Sequence, residues 1–155
     1  MRSGADMKLE ILALRAEHFE QLPTPVFLSP PAAETLCDAE LSGVAKLDGR
    51  VVAAAGIFPE WQGRGRAWIL ADMGGDGLPL RVWVLLRREI RATLKRAEAC
   101  GYRRIDATVD ASFAGGIAFA ESLGFVVEGY AEQYGPDGRD HLFYAWLADP
   151  KGGQG

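Results

Sequence analysis

The sequence of 155 residues holds little cysteine and little histidine, two of each: Cys37, Cys100, His18 and His141. No CxxC pair occurs, and neither histidine stands in metal-ligand spacing, which argues against a zinc site or a disulfide framework. Both cysteines read as half-buried thiols in a reducing cytosol. No run of 18 apolar residues is present, so no membrane-spanning helix is expected. Positive charge is not in excess. Lys and Arg number 17 against 21 Asp and Glu, a net charge of −4, which argues against a general nucleic-acid binder. The stretch Met1 to Asp6 has no apolar core behind Arg2, so it does not read as a secretion signal, and a cytoplasmic protein is expected.

What is present is an ordinary globular composition, 48% apolar and 25% charged. The length suits one domain with a core that needs no disulfides. Lys8 to Arg15 reads as a strand and Ala16 to Leu22 as a short helix stopped by Pro23. A second helix is expected from Ser29–Pro30 to about Ala39. Ser42 to Leu47 and the continuous apolar run Val51 to Phe58 form a hairpin about Asp48-Gly49. A second turn at Gln62 to Gly65 leads into a strand over Ala67 to Asp72. After a loop from Met73 to Pro79, a helix runs to Cys100, with Trp83, Leu86, Ile90, Leu94 and Ala97 on one apolar stripe. Arg104 to Asp110 alternates: Ile105, Ala107 and Val109 face one way, Arg104, Asp106, Thr108 and Asp110 the other. A helix over Ser112 to Leu123 ends at Gly124, and strands over Phe125 to Tyr134 and Asp140 to Leu147 flank a Gly135–Gly138 turn. The helix between the fourth and fifth strands makes that pair parallel inside an otherwise antiparallel sheet. The expected class is α+β with a mixed sheet, in the order β-α-α-β-β-β-α-β-α-β-β. Residues 8–147 form the domain, and 1–7 and 148–155 are flexible termini.

This order, together with Leu123-Gly124-Phe125-Val126-Val127-Glu128-Gly129, resembles the GNAT superfamily of N-acetyltransferases, whose fourth helix ends in a similar LGF-x-x-EG run. The hairpin Tyr134 to Gly138 fits the same family's last two strands. The stretch Gly63 to Asp72 resembles GNAT-like proteins of tailed phages and prophages. The resemblance implies a fourth and a fifth strand that diverge to admit acetyl-CoA, with no metal. It also implies a small-molecule or protein amine as acceptor, and either an active acyltransferase or a GNAT-shaped binding module that has lost turnover. No nucleic-acid or membrane partner is expected, and a monomer or homodimer is.

Gln62-Gly63-Arg64-Gly65-Arg66-Ala67 matches the family's phosphate motif, yet it opens a segment of strand character rather than a helix, so it reads as a hairpin turn. The phosphate site is expected instead where the next loop feeds a helix N-terminus. That assigns cofactor binding to Leu70, Ala71, Asp72, Met73, Gly74, Gly75, Gly77, Leu78 and Arg81, the glycines offering backbone amides. A plain flexible loop is the alternative. The basic residues of the long helix, Arg81 to Arg96, read as a solvated face, with a phosphate contact at Arg81 or a nucleic-acid patch as alternatives. Two family positions depart from the pattern: Ala120 stands where a tyrosine acid is common, and Phe113 where an asparagine is. Glu60, after the third strand, and Asp72 are the candidate bases, with His141 and Tyr134 behind them. Trp61 and Trp68 are candidates to line the acceptor side, or they are core. No nucleophile with a matching base is evident, which argues against a covalent acyl-enzyme.

Overall fold

The computed structural model describes residues 8–22, 41–72 and 77–149. The expected second helix and Cys37 lie outside them. The described chain runs β1 (Leu9–Leu12), a 3-10 helix (Ala16–Gln21), β2 (Ser42–Leu47), β3 (Arg50–Trp61), β4 (Arg64–Ala71), α1 (Leu80–Ala99), β5 (Arg104–Asp110), α2 (Ala114–Ser122), β6 (Val126–Ala131) and β7 (His141–Leu147). The seven strands form one sheet in the order β1-β2-β3-β4-β5-β7-β6. All neighbours are antiparallel except β4 and β5, as the crossover through α1 requires.

Local chemistry explains the hairpins. Asp48 and Gly49 both take positive φ, 52° and 81°, the twist that a two-residue turn between right-twisted strands needs. Gly63 does the same at 84°, so Gln62-Gly63 is the tip of the β3–β4 hairpin, with Trp61 paired to Arg64. The phosphate-like motif is therefore a turn followed by strand. β3 runs further than the apolar pattern indicates. Pro59 and Glu60 were expected beyond its end, but the strand continues past them through an irregularity between Pro59 and Trp61, which accommodates the missing N–H of proline. Glu60 thus lies within β3, not after it.

The two sheet faces differ. On one, α1 and α2 pack Leu94, Ala97, Ala120 and Leu123 onto Ile105, which is fully buried, and onto Ala107 and Val109. α1 also buries Val82 and Leu86 against Ala45, Val52 and Ala53. The stripe drawn through Trp83 and Ile90 is displaced at its start: Val82 is fully buried, while Trp83 and Ile90 are half-buried. On the other face, Leu14, Phe19 and Leu22 around the 3-10 helix pack on Val44, Val51 and Ala54, with Trp68 and Leu70 beside them. Cys100, at the end of α1, is exposed rather than half-buried because it caps the helix beyond its packed length. Among the described residues no helix is long and apolar enough to cross a membrane.

Candidate functional site

The parallel pair β4–β5 is joined at three places only: Arg64 with Arg104, Gly65 with Ile105, and Arg66 with Asp106. Beyond them β4 stays paired to β3 as far as Ala71, and β5 stays paired to β7 as far as Asp110. Among the described residues, Ala67 to Ala71 and Ala107 to Asp110 therefore have no ladder partner on the sides that face each other. These are the two middle strands of the sheet, where strands normally find partners on both edges. Ile69, in the centre of β4, is 41% exposed. A strand edge left open inside a sheet presents unsatisfied N–H and C=O groups to whatever enters.

The opening leads toward the start of α1. Its N-cap residue, Pro79, makes no side-chain capping hydrogen bond, and its first turn carries no acid. A helix N-terminus of this kind favours an anion. Of the residues assigned to cofactor binding, Leu70 and Ala71 lie on the unpaired part of β4. Asp72 follows it; its N–H donates to the Val52 carbonyl and its carboxylate accepts from Arg50 at 2.7 Å. Met73, Gly74 and Gly75 lie outside the described residues. Gly77 takes φ 78°, and no described residue lies within 4 Å of where its side chain would stand. Leu78, like Ala71, packs against the core cluster that contains Val82, and Arg81 is exposed in the first turn of α1.

At the closed end of the opening, on the face away from α1, lies a cleft of about 290 Å³ whose lining includes Arg64, Arg66, Arg104, Asp106, Thr108, Glu128, Tyr134 and Phe143. Charges cross it in a chain. Arg64 binds Asp106 Oδ2, and Arg104 donates to Asp106 Oδ1 at 2.7 Å. Arg104 also reaches both oxygens of Glu128 on β6. β7 lies between β5 and β6, and in the row joining Asp106 to Val126 it places Ala145, small enough to let that bridge pass. The hydrogen bond to Glu128, followed by that to Asp106, raises the pKa of Arg104 above its ordinary value. Beside them Arg66 donates to Glu60 at 2.9 Å, and the Arg64 guanidinium lies 4.2 Å above the Trp61 ring.

The two candidate bases are thus apart. Glu60 touches a guanidinium that lines the cleft, whereas Asp72 is held by Arg50 at the other end of β4. Tyr134 packs edge-on to Phe143 at 5.0 Å and tilts over His141 at 5.5 Å. His141 Nδ1 is buried with no hydrogen-bond partner among the described residues. Trp68 faces the 3-10 helix and meets Phe19 at 5.8 Å, so it belongs to a core cluster. Ala120 is buried in the core, and the Phe113 ring folds over Gly116 at the start of α2. Sequence reasoning did not select Arg64, Arg104, Asp106 and Glu128. The polar half of the β5 alternation was their signal, because a charged row on an interior strand has to be matched by neighbours.

No family model matches the sequence, and no curated protein matches it. Solved structures do. A GNAT-family acetyltransferase from Streptococcus pneumoniae superposes with a TM-score of 0.69 at 16% identity, over 90% of this chain and 99% of that one. The ribosomal-protein-S18-alanine N-acetyltransferase from Escherichia coli gives 0.65 at 21% identity, over 95% and 98%. A protein from Salmonella typhimurium, solved with its cofactor acetyl-CoA, gives 0.57 at 20% identity, over 72% and 66%. At such identities the likeness is one of fold. Strand order, a parallel central pair and its early divergence agree with it, and the chain has the GNAT acyl-CoA N-acyltransferase fold.

Proposed function

We propose that the protein transfers an acyl group, acetyl in the first instance, from acyl-CoA to an amine by direct attack, within a domain spanning residues 8–147. The observation that carries this reading is the stop of the β4–β5 ladder after Arg66 and Asp106. A pantetheine arm offers amide N–H and C=O groups at strand-like spacing, so it can pair with the free edge of β4 over Ala67 to Ala71. The pyrophosphate then falls between the end of β4 and the start of α1, where the helix N-terminus favours negative charge. The thioester reaches the closed end of the opening and faces the cleft.

In the transfer, the amine nitrogen attacks the thioester carbonyl carbon. A C–N bond forms, the C–S bond breaks, and the sulfur leaves as a thiolate that takes a proton from water. A thiol is acidic enough for this to proceed without a dedicated acid, which fits alanine at position 120. Glu60, whose partner Arg66 lines the cleft, takes the amine proton directly or through water, while Asp72 anchors the entry of the loop through Arg50. The neighbours of this fold named as acetyltransferases support the same reading.

The test is acetyl-CoA added to the purified protein. A rise in melting temperature is expected, since a ligand that binds only the folded state stabilises it. Free thiol should then appear when mixed amines are supplied. Absence of any thermal shift would sink the reading. Gly75→Trp should abolish the shift by filling the loop with an indole. A second reading, a GNAT-shaped binding or assembly module without turnover, is favoured by one observation: the carboxylates at the closed end of the opening, Asp106, Glu128 and Glu60, are all engaged by arginines. Thermal stabilisation with no thiol release from any amine would select it.

A further inference from the structure

We propose that the acceptor is a small amine that carries its own anionic group, a carboxylate or a phosphate, and that Arg66 binds that group; this rests on the acyl-transfer reading above. The donors and acceptors of the cleft are out of balance. Asp106 has both oxygens filled, one by Arg64 and one by Arg104. Both oxygens of Glu128 are filled by Arg104. Every carboxylate oxygen on this wall thus already accepts from one of the protein's own guanidinium groups. The donors are not all committed. A guanidinium carries five N–H bonds in a fork that fits carboxylate or phosphate side-on. Arg66 commits only Nε, to Glu60, and makes no other ion pair or hydrogen bond among the described residues. Its side chain is 49% exposed where it lines the cleft, so its terminal N–H groups are open to a ligand.

A polyamine brings only donors and leaves the free N–H groups of Arg66 without an acceptor. An amine with an anion beside it satisfies both partners of the Arg66–Glu60 pair: the anion meets the fork of Arg66, and the nitrogen lies toward the carboxylate oxygen of Glu60 that Arg66 does not hold. The opposite wall is apolar. Tyr134 is 44% exposed and Phe143 37% exposed, and their edge-to-face rings can cover the carbon skeleton of the guest. A volume of about 290 Å³ fits a molecule of amino-acid size.

Calorimetry on the full chain saturated with CoA, which cannot react, tests this with four probes: phenylalanine, phosphoethanolamine, phenylalaninamide and spermidine. One of the two anionic amines should bind at least roughly tenfold more tightly than the amide and spermidine, because a charge-assisted bidentate contact is added. Which of the two binds better identifies carboxylate or phosphate. Arg66→Gln should erase that preference while leaving spermidine no weaker, since Glu60 then loses its partner; Arg66→Lys should keep part of it. Equal binding of the amide and the anionic amines, equal weakening of all four by Arg66→Gln, or no binding of any probe would overturn the assignment. The CoA titration itself is read separately. Its failure counts against the cofactor site, whereas CoA binding without anion preference counts against the acceptor class alone.

Discussion

Gly65 offers the sharpest test of how the opening is built. It sits in the middle of the three-rung seam, opposite Ile105, and it is buried. A Cβ placed there would stand 2.7 Å from Ile57 Cγ2, 2.9 Å from Tyr102 Cε1 and 3.2 Å from the Phe58 carbonyl oxygen. Carbon atoms in comfortable contact lie about 3.5–4.0 Å apart, so the methyl is too close by roughly 0.6 Å or more. Ile57 is itself core and the carbonyl belongs to β3, so neither yields freely. Overpacking of this kind costs about 1–3 kcal/mol. The unfolded chain returns about 0.4–1 kcal/mol, because alanine has less freedom to lose than glycine. With mid-range values of about 2 and about 0.7 kcal/mol, the net loss for Gly65→Ala is about 1.3 kcal/mol, or a melting temperature lower by roughly 3–5 °C for a chain of this size. Relief by movement of β4 would also displace the seam, so the acetyl-CoA-induced thermal shift should shrink. Gly129→Ala is the control: its Cβ meets only Phe143, at 3.8 and 4.0 Å, and should change stability little. Thermal melts with and without acetyl-CoA decide the matter. A Gly65→Ala protein as stable as the parent, with an undiminished response to acetyl-CoA, refutes the reasoning.

Tyr144 is buried, and its hydroxyl donates to Glu121 Oε2 at 2.9 Å, tying β7 to α2. Tyr144→Phe should cost about 1 kcal/mol in urea unfolding. Gly63→Ala should destabilise by about 1 kcal/mol, since φ is 84° and the Arg103 guanidinium fills the site. Circular-dichroism melts would read it. Ser112, through its hydroxyl and its N–H, and then Arg139 lower the Asp110 carboxyl from 3.8 to about 2. A depressed carboxylate stabilises the fold above its unfolded value and loses that contribution as pH falls through the folded one. The Asp110 contribution should therefore be complete above about pH 4 and vanish toward pH 2, and Asp110→Asn should flatten this segment of an acid-unfolding curve.

The elements that could be read from residue type were those with a local cause. Asp48-Gly49 and Gln62-Gly63 mark their turns because few other pairs tolerate the backbone there. β5 was legible to the residue, because one side of it must be apolar and the other polar. The end of β3 was not, since Pro59 and Glu60 resemble a turn and only pairing with β4 keeps them extended. Val82 escaped because Trp83 offered a larger apolar side chain one step away. The place where β4 and β5 part left no trace in the letters: a missing ladder is a property of two segments nearly forty residues apart. It was reached through family resemblance, not through periodicity. The Arg64–Asp106–Arg104–Glu128 chain draws on three segments, and only its β5 members left a signal, in the polar half of that strand's alternation.

Within the sheet only three rungs join the plate β1–β4 to the plate β5–β7–β6, a short hinge that α1 backs by packing on both. The guanidinium–carboxylate chain rivets that hinge on one side, and Ile105 wedges it on the other. Any molecule that lies between the plates serves as an extra strand and locks them. A ligand in the opening should therefore stiffen the sheet across its midline.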